Sequence, residues 1–220
     1  MSIPTITPYE LPAAADLPYG RAGWRLDPSR AVLLIHDMQQ YFVDFFPAGQ
    51  EPMASVIRNI AAIRAAAVAR GVPVVYTAQP GSMTAEQRGL LRAFWGEGMD
   101  ATPAHRRMVE PLEPALTDLV LTKWRYSAFA RTDLDTVIRE YGRDQLIVCG
   151  IYAHVGCLMT ACDAFTRDIQ PFLVVDAIAD FSLREHLMAV DYAERRCAVT
   201  PGTATVVADL TAHDRIPGAR

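Results

Sequence analysis

Lysine is nearly absent from this chain: Lys123 is the single lysine among its 220 residues, against 20 arginines. A sequence that meets almost every need for positive charge with arginine is expected to keep a lysine where a compact ammonium group is required. Lys123 is therefore a candidate functional residue, and its survival by chance is the alternative interpretation.

The chain also lacks an excess of positive charge, a long apolar run and a basic N-terminal segment. Its formal net charge is −4, which argues against a nucleic-acid partner, since such partners need a basic face. The longest apolar runs, residues 146–153 and 171–179, fall well short of the ~20 residues that cross a membrane. Residues 1–20 hold four prolines and no basic residue, so they do not resemble a signal peptide. We expect a cytoplasmic protein without a membrane partner.

Motifs for disulfides, metals and phosphates are missing as well. Four cysteines lie in apolar contexts without a C-x-x-C pair: Cys149, Cys157, Cys162 and Cys197. We expect reduced, buried thiols, and a nucleophilic Cys157 at the start of a helix is the alternative. Neither H-E-x-x-H nor D-x-H spacing occurs, and neither a P-loop nor G-x-G-x-x-G, so we expect no metal and no cofactor.

Apolar runs and helical patterns alternate along the chain. The predicted strands are residues 31–35, 72–78, 118–122, 145–149, 171–175 and a last one near 197–200. The predicted helices are residues 53–70, 84–95, 132–142, 155–167, 182–196 and a short terminal one. This alternation predicts a three-layer α/β/α fold with a mainly parallel, Rossmann-like central sheet. We expect one domain over residues 31–220, preceded by a proline-rich, extended arm over residues 1–30.

Ligands of such sheets bind beyond the carboxyl ends of the strands, so the residues there are candidates for chemistry. Asp37 follows an entirely apolar strand, and burial there raises the pKa of a carboxyl group unless a cation lies beside it. Lys123 follows another strand and is a candidate for that cation. The alternative is that Asp37 only caps the next turn. Two histidines, His36 and His154, also flank strand ends.

Three residues of the predicted helix 84–95 share one face: Arg88, Leu91 and Trp95. An arginine fork binds carboxylates and an indole offers a flat apolar wall, so this face suits a planar, cyclic, anionic substrate. The alternative places Leu91 and Trp95 in the core, with Arg88 reaching out to solvent.

Several stretches of the chain closely resemble the isochorismatase family. They are residues 34–42, 76–81, 86–91 with 94–96, 121–129, 150–156 and 176–182, and the resemblance runs from about residue 5 to residue 210. It implies hydrolysis of a vinyl ether: the enolpyruvyl group of isochorismate, or of 2-amino-2-deoxyisochorismate, is removed as pyruvate. It also implies a homodimer. Siderophore-type members often carry a C-terminal carrier-protein domain, and we expect none in this chain.

The sequence leaves both substrates open. Residues 79–84 look like the phenazine-type members of the family, which use the amino substrate. Residues 156–162 look more like the siderophore type, which uses isochorismate. We favour the amino substrate slightly and expect activity on both.

The wider superfamily includes cysteine amidohydrolases such as nicotinamidases, which this chain resembles only in part. Asp37 and Lys123 match their Asp and Lys, but Gly156 stands where they carry a nucleophilic cysteine, and Cys157 is one residue late. Residues 79–81 stand in place of their metal-binding D-x-H. A cysteine-dependent amidohydrolase is therefore the alternative function, together with an inactive binding relative.

The resemblance also implies roles for single residues. Asp37 is the implied general acid, a carboxyl group protonated at neutral pH, and Lys123 neutralises substrate charge or holds the ether oxygen. The implied substrate-binding residues are Phe42, Gln79, Arg88, Trp95, Tyr152 and Gly156. The small Gly156 is expected to leave room where a cysteine would stand, and the peptide bond between Ile151 and Tyr152 is expected to be cis.

Overall fold

A computed structural model describes residues 3–212 and contains a sheet of five parallel strands. The strands are β1 (Ala31–His36), β2 (Val74–Ala78), β3 (Leu119–Thr122), β4 (Gln145–Ile151) and β5 (Gln170–Ala179). Their order across the sheet is β3-β2-β1-β4-β5, so the strand order reverses between β1 and β4. The predicted parallel sheet is confirmed.

Helices cover both faces of this sheet. They are α1 (Gln40–Val43), α2 (Met53–Ala69), α3 (Ala85–Arg88), α4 (Leu91–Trp95), α5 (Pro103–Arg106), α6 (Leu134–Glu140), α7 (Leu158–Thr166), α8 (Leu183–Arg196) and α9 (Thr203–Thr211). Side chains alternate along β1: Leu33 and Ile35 join the core formed with α2 and α9, whereas Val32 and Leu34 join the core formed with α6, α7 and α8. The predicted three-layer α/β/α fold is confirmed.

The last predicted strand is wrong. In the described part of the chain, residues 197–200 run beside β5 but form only an isolated bridge, between Val199 and Phe172. A longer ladder does not form because the next donor would be residue 201, and Pro201 has no N–H; the N–H of Thr200, on the other side of the segment, donates to the carbonyl of Tyr19.

Of two predicted long helices, one is confirmed and the other begins at a different residue. The helix predicted over residues 53–70 is confirmed as α2. The helix predicted over residues 155–167 begins earlier, because a π-helical turn at Ala153–Cys157 leads directly into α7. This turn places the backbone of position 156 at the carboxyl end of the sheet.

The N-terminal arm, described from residue 3, lies extended on the fold apart from a 3-10 turn at Ala14–Asp16. Ile6 is buried in the core, and its N–H donates to the carbonyl of Phe45. Residues 213–220, the end of the predicted domain, lie outside the described residues. In the described part of the chain, no helix is long and apolar enough to cross a membrane.

Candidate active site

A cavity opens at the carboxyl ends of the strands, beside the point where the strand order reverses. Strand ends deliver its polar side chains: Asp37 follows β1, Gln79 follows β2 and Lys123 follows β3. The eight residues proposed from the sequence all line this cavity: Asp37, Phe42, Gln79, Arg88, Trp95, Lys123, Tyr152 and Gly156. Segments that are far apart in the chain therefore meet in one place.

Asp37 and Lys123 form a buried ion pair in the cavity wall. The Nζ of Lys123 lies 2.8 Å from Oδ2 of Asp37, and less than a tenth of either side chain is exposed. Thr77 of β2 donates its hydroxyl hydrogen to Oδ1 of Asp37 at 2.6 Å and accepts the backbone N–H of Asp37 at 3.1 Å. The φ angle of Asp37 is +48°, a left-handed conformation that costs on the order of 1–3 kcal/mol and occurs at functional sites.

The geometry of the protein alone holds Asp37 ionised. Burial favours the neutral carboxyl group, but the ammonium of Lys123 and the hydrogen bonds from Lys123 and Thr77 outweigh burial, so the pKa of Asp37 lies below its ordinary value. His36 adds no positive charge near pH 7, because burial lowers its pKa to about 4. The expectation of a carboxyl group protonated at neutral pH is therefore wrong for the protein by itself.

The prediction of one continuous helix over residues 84–95 is wrong, although the predicted start at Thr84 is confirmed. The capping box at Thr84 is present and begins α3. That helix ends at Arg88 because Gly89 takes a φ angle of +49°, and a second short helix, α4, follows. Arg88 of α3 and Trp95 of α4 both line the cavity, but they do not share one helix face.

Arg88 is a buried cation of the cavity wall and does not reach out to solvent. Its Nε donates to the carbonyl of Gly96 at 3.0 Å, while its Nη atoms donate to the carbonyl of Trp95 and to Oε1 of Gln79, both at 3.3 Å. A Cβ at Gly98 would lie 2.6 Å from Cζ of Arg88, so the guanidinium packs directly on this glycine. These neutral partners leave its charge available to an anionic ligand.

Aromatic rings form the apolar part of the wall. Trp95 donates its Nε1–H to the hydroxyl of Tyr126 at 2.7 Å, and its ring centre lies 5.8 Å from that of Phe181. Phe181 lies 4.5 Å from the ring of Tyr152. The hydroxyl of Tyr152 donates to the carbonyl of Phe42 at 2.8 Å, so the ring of Tyr152 contributes an apolar surface. Such a wall suits a flat ring with polar substituents.

The room that Gly156 leaves is taken by His36. A Cβ on Gly156 would stand 2.0 Å from Cε1 of His36, and under 3.0 Å from both ring nitrogens. Nδ1 of His36 donates to the carbonyl of Ile151 at 2.8 Å, which fixes the ring in this place. The expectation of open room over Gly156 is therefore wrong. The peptide bond between Ile151 and Tyr152 is cis, as the resemblance implies.

The cysteines of the described chain lie outside the cavity lining. All four are free thiols; Cys149, Cys157 and Cys197 are buried, as expected, whereas Cys162 is partly exposed. Burial raises the pKa of Cys157 well above its ordinary value, so its thiol stays protonated. Within residues 3–212, no group of three or more His, Cys, Asp or Glu side chains is placed to hold a metal ion.

Sequence reasoning missed three polar residues that shape the site. Thr77 orients the carboxyl group described above, and a polar residue inside an apolar strand was its signal. Gln39 is fully buried, and its amide both donates to and accepts from the backbone of Gln79. Arg125 lines the cavity and braces α3 by donating to the carbonyl of Gln87. Neither Gln39 nor Arg125 had a signal in the local pattern.

Comparison with known proteins points to one family. The family model for the isochorismatase domain matches residues 31–205. The isochorismatase of Bacillus subtilis (strain 168) is 53% identical over 210 residues, which are 96% of this chain and 67% of that protein. The phenazine biosynthesis protein PhzD of Pseudomonas fluorescens is 56% identical over 205 residues, 93% of this chain and 98% of that protein.

Solved structures show the same fold. The crystal structure of a cysteine hydrolase from Pseudomonas syringae pv. phaseolicola 1448A matches with a TM-score of 0.79 and 25% identity, and the match covers 88% of this chain and 97% of that chain. The family model spans most of the chain, and the two relatives are more than half identical to it. This chain belongs to the isochorismatase family and is a hydrolase of the isochorismatase type.

Proposed function

We propose that this enzyme cleaves the enolpyruvyl vinyl ether of isochorismate, of 2-amino-2-deoxyisochorismate or of both, and releases pyruvate. The ring product is 2,3-dihydro-2,3-dihydroxybenzoate or trans-2,3-dihydro-3-hydroxyanthranilate, for siderophore-type or phenazine-type metabolism. One observation carries the proposal: Asp37, paired with Lys123, is the one carboxyl group among the described residues that line the cavity. Relatives named for isochorismatase and for phenazine biosynthesis support the two substrates.

The reaction needs one well-placed acid. A vinyl ether opens when its terminal carbon is protonated, which gives an oxocarbenium ion. Water adds to the charged carbon, and the hemiketal breaks down to pyruvate and the ring alcohol. No nucleophilic side chain takes part, so a cavity lined without a thiol suits this chemistry. Asp37 donates the proton to carbon as the general acid.

Substrate binding raises the pKa of Asp37, which is low in the protein alone. Both substrates carry two carboxylates, and negative charge close to a carboxylate disfavours its ionised form. A substrate carboxylate that faces Lys123 shares the ammonium charge that otherwise stabilises ionised Asp37. Asp37 therefore takes up a proton when the substrate binds, and Lys123 neutralises the substrate beside it.

Arg88 and the aromatic wall hold the ring. The guanidinium of Arg88 bonds only neutral oxygens among the described residues, so the ring carboxylate of the substrate is its ionic partner. Trp95 and Tyr152 offer flat surfaces to the cyclohexadiene, and Gln79 is fixed beside Arg88. Phe42 closes the wall next to Tyr152.

Arg88→Ala is expected to raise KM by roughly 10- to 100-fold and to change kcat by less than about threefold. A hydrogen bond to a charged group contributes about 1.5–3 kcal/mol, and this one forms in ground state and transition state alike. Steady-state kinetics of pyruvate release measure both constants. Arg92→Ala is the matched control, because Arg92 is exposed and pairs with Glu97. An unchanged KM for Arg88→Ala would remove Arg88 from the binding site.

Cys157→Ser is expected to keep at least about half of wild-type kcat. The thiolate is the reactive form of cysteine, and the buried thiol of Cys157 is held protonated. The check is pyruvate release, together with intact-protein mass spectrometry during turnover. Loss of activity and a covalent adduct on Cys157 of the wild-type enzyme would instead support a cysteine-dependent amidohydrolase.

The quaternary structure and location belong to the same proposal: a homodimer of single-domain chains in the cytoplasm. Apolar side chains on α8 are 38–47% exposed and support an interface: Leu183, Leu187, Met188 and Tyr192. Light scattering is expected to give twice the chain mass of 24.2 kDa. A particle of one chain mass would contradict the homodimer.

Incubation of the purified enzyme with each substrate tests the proposed function. Pyruvate is followed in a coupled lactate dehydrogenase assay. The two substrates differ only in a hydroxyl or an amino group on the ring, and no residue that discriminates between them is identified, so we expect kcat/KM values within about two decades of each other. Pyruvate from neither substrate would overturn the proposal, and a preference beyond ~10⁴-fold would reveal a polar contact that selects one of them.

A further inference from the structure

His36 and Gly156 interlock at the carboxyl end of the sheet. The side chain of His36 is 1% exposed, and its ring occupies the position that a Cβ of residue 156 would take. A Cβ at position 156 would stand 2.0 Å from Cε1 and 2.7 Å from Nε2 of this ring. Real Cβ atoms essentially never approach another heavy atom closer than 3.0 Å. A side chain at position 156 and the ring of His36 therefore exclude each other.

The backbone of His36 is closely packed, and its ring is held by a hydrogen bond. In the register of β1 and β4, His36 lies beside Gly150, and a Cβ there would come within 2.2 Å of the carbonyl oxygen of His36. The ring is anchored as well, because Nδ1 donates to the carbonyl of Ile151 at 2.8 Å. Since Asp37 is the next residue, a shift of the His36 backbone would move the carboxyl group too.

An imidazole at position 36 does more than fill space, because its ring nitrogens are polar. Nε2 of His36 is buried and makes no hydrogen bond of good geometry among the described residues, although the backbone of Tyr126 lies close enough to act on the pKa of the ring; an apolar ring of similar size would avoid this arrangement. The bond from Nδ1 to Ile151 gives the ring a fixed orientation that an apolar ring could not hold. As a neutral ring, it does so without placing a cation beside Asp37, whose Oδ2 lies 3.9 Å from Nδ1.

We propose that His36 and Gly156 form a specificity-determining pair: the ring of His36 occupies the space of any side chain at position 156, a thiol included, and holds Asp37 in place for proton transfer. The second half of this statement rests on the proposed function. The pair selects acid-catalysed hydrolysis on a fold that is shared with a cysteine hydrolase. His36 acts through Asp37 and is a positioning residue.

A double-mutant cycle tests the pair. Gly156→Cys alone should lower Tm by at least roughly 4 °C, because a rigid, filled site tolerates added atoms poorly. It should also lower kcat for pyruvate release at least roughly 100-fold, with KM within about threefold, because relief of the clash by a shift of the His36 backbone would misplace Asp37. In the His36→Ala background, the same Gly156→Cys change should shift Tm by less than about 1 °C.

Two controls complete the cycle. Gly156→Ala repeats it with a Cβ that carries no thiol, and should give the same pattern of Tm shifts. Gly23→Cys places the same side chain at a glycine with nothing within 4 Å of its Cβ position, and should leave Tm and kcat unchanged.

If Gly156→Cys lowered Tm equally in the wild-type and His36→Ala backgrounds, the proposed pair would be refuted. A Gly156→Cys enzyme with wild-type Tm and kcat would refute it as well. A raised KM with unchanged kcat would overturn the positioning of Asp37. If a variant does not fold, NMR of the wild-type enzyme decides: a strong NOE between Hε1 of His36 and Hα of Gly156 is expected, and its absence overturns the pair. Failure of the wild-type enzyme to release pyruvate would overturn the proposed function, while the Tm cycle and the NOE still decide the packing.

Discussion

Asp37→Asn is expected to lower kcat by roughly 10²- to 10⁴-fold, while the enzyme still binds its substrate. General acid catalysis commonly contributes about this factor, and in the proposed mechanism proton transfer to carbon is the rate-limiting step. Asparagine keeps the size of Asp37 but cannot donate an acidic proton to carbon. Single-turnover measurements of pyruvate give kcat, and calorimetric titration with the ring product checks binding.

The Asp37→Asn variant needs a check on folding, because it leaves the buried Lys123 without its partner. Removing one partner of a buried pair costs about 3–5 kcal/mol of stability. The double variant Asp37→Asn/Lys123→Met should therefore recover Tm without recovering activity. Asp118→Asn is a matched control at the opposite ends of the strands, since Asp118 pairs with Arg64 just before β3. More than a tenth of wild-type kcat in Asp37→Asn would remove Asp37 as the proton donor.

Lys123→Arg is expected to lower kcat/KM by at least roughly 10²-fold, although the positive charge is conserved. Lys123 is 3% exposed, and its Nζ fits within 2.8 Å of Asp37 as a compact point charge. A guanidinium is planar and larger, so it cannot enter the same space without moving the carboxyl group, and a misplacement of about 1 Å at a reacting centre costs roughly 10²-fold. Initial rates of pyruvate release measure the loss.

The control for this exchange is Arg139→Lys, the reverse change at an exposed i,i+4 pair with Asp135. That variant should keep wild-type kcat/KM, because exposed pairs contribute little and lie outside the cavity. Wild-type kcat/KM in Lys123→Arg would show that position 123 does not require a lysine.

The strand ends of the site were predictable from the sequence, and the reason is topological. Parallel strands deliver their carboxyl ends to one edge of the sheet, so the alternating pattern placed Asp37 after β1 and Lys123 after β3 at the same edge; the strand order, with β2 between them, was not predicted. Their 2.8 Å contact also follows from a strong electrostatic preference, since a buried carboxylate needs a cation. The helix-face pattern indicated Arg88 and Trp95, and the resemblance supplied the remaining cavity residues; all of them line one cavity.

Contacts that depend on register and on backbone conformation were not predictable. The helix over residues 84–95 breaks at Gly89, where Arg125 packs against the glycine with Nη2 only 2.8 Å from the position of a Cβ. Helical spacing in the sequence carries no trace of this tertiary contact. The contact between His36 and Gly156 likewise depends on the β1–β4 register and on the π-helical turn after β4.

Hydrolysis in ¹⁸O-labelled water tests most directly whether the enzyme cleaves a vinyl ether by protonation at carbon. In this account water adds to the oxocarbenium carbon, so the label enters pyruvate, which is reduced at once to lactate to prevent exchange. The ring product keeps its original oxygen, and its mass is expected to be unlabelled. Label in the ring hydroxyl would show that water attacks the ring carbon instead, and would contradict the assignment of Asp37 as an acid that protonates the enolpyruvyl group.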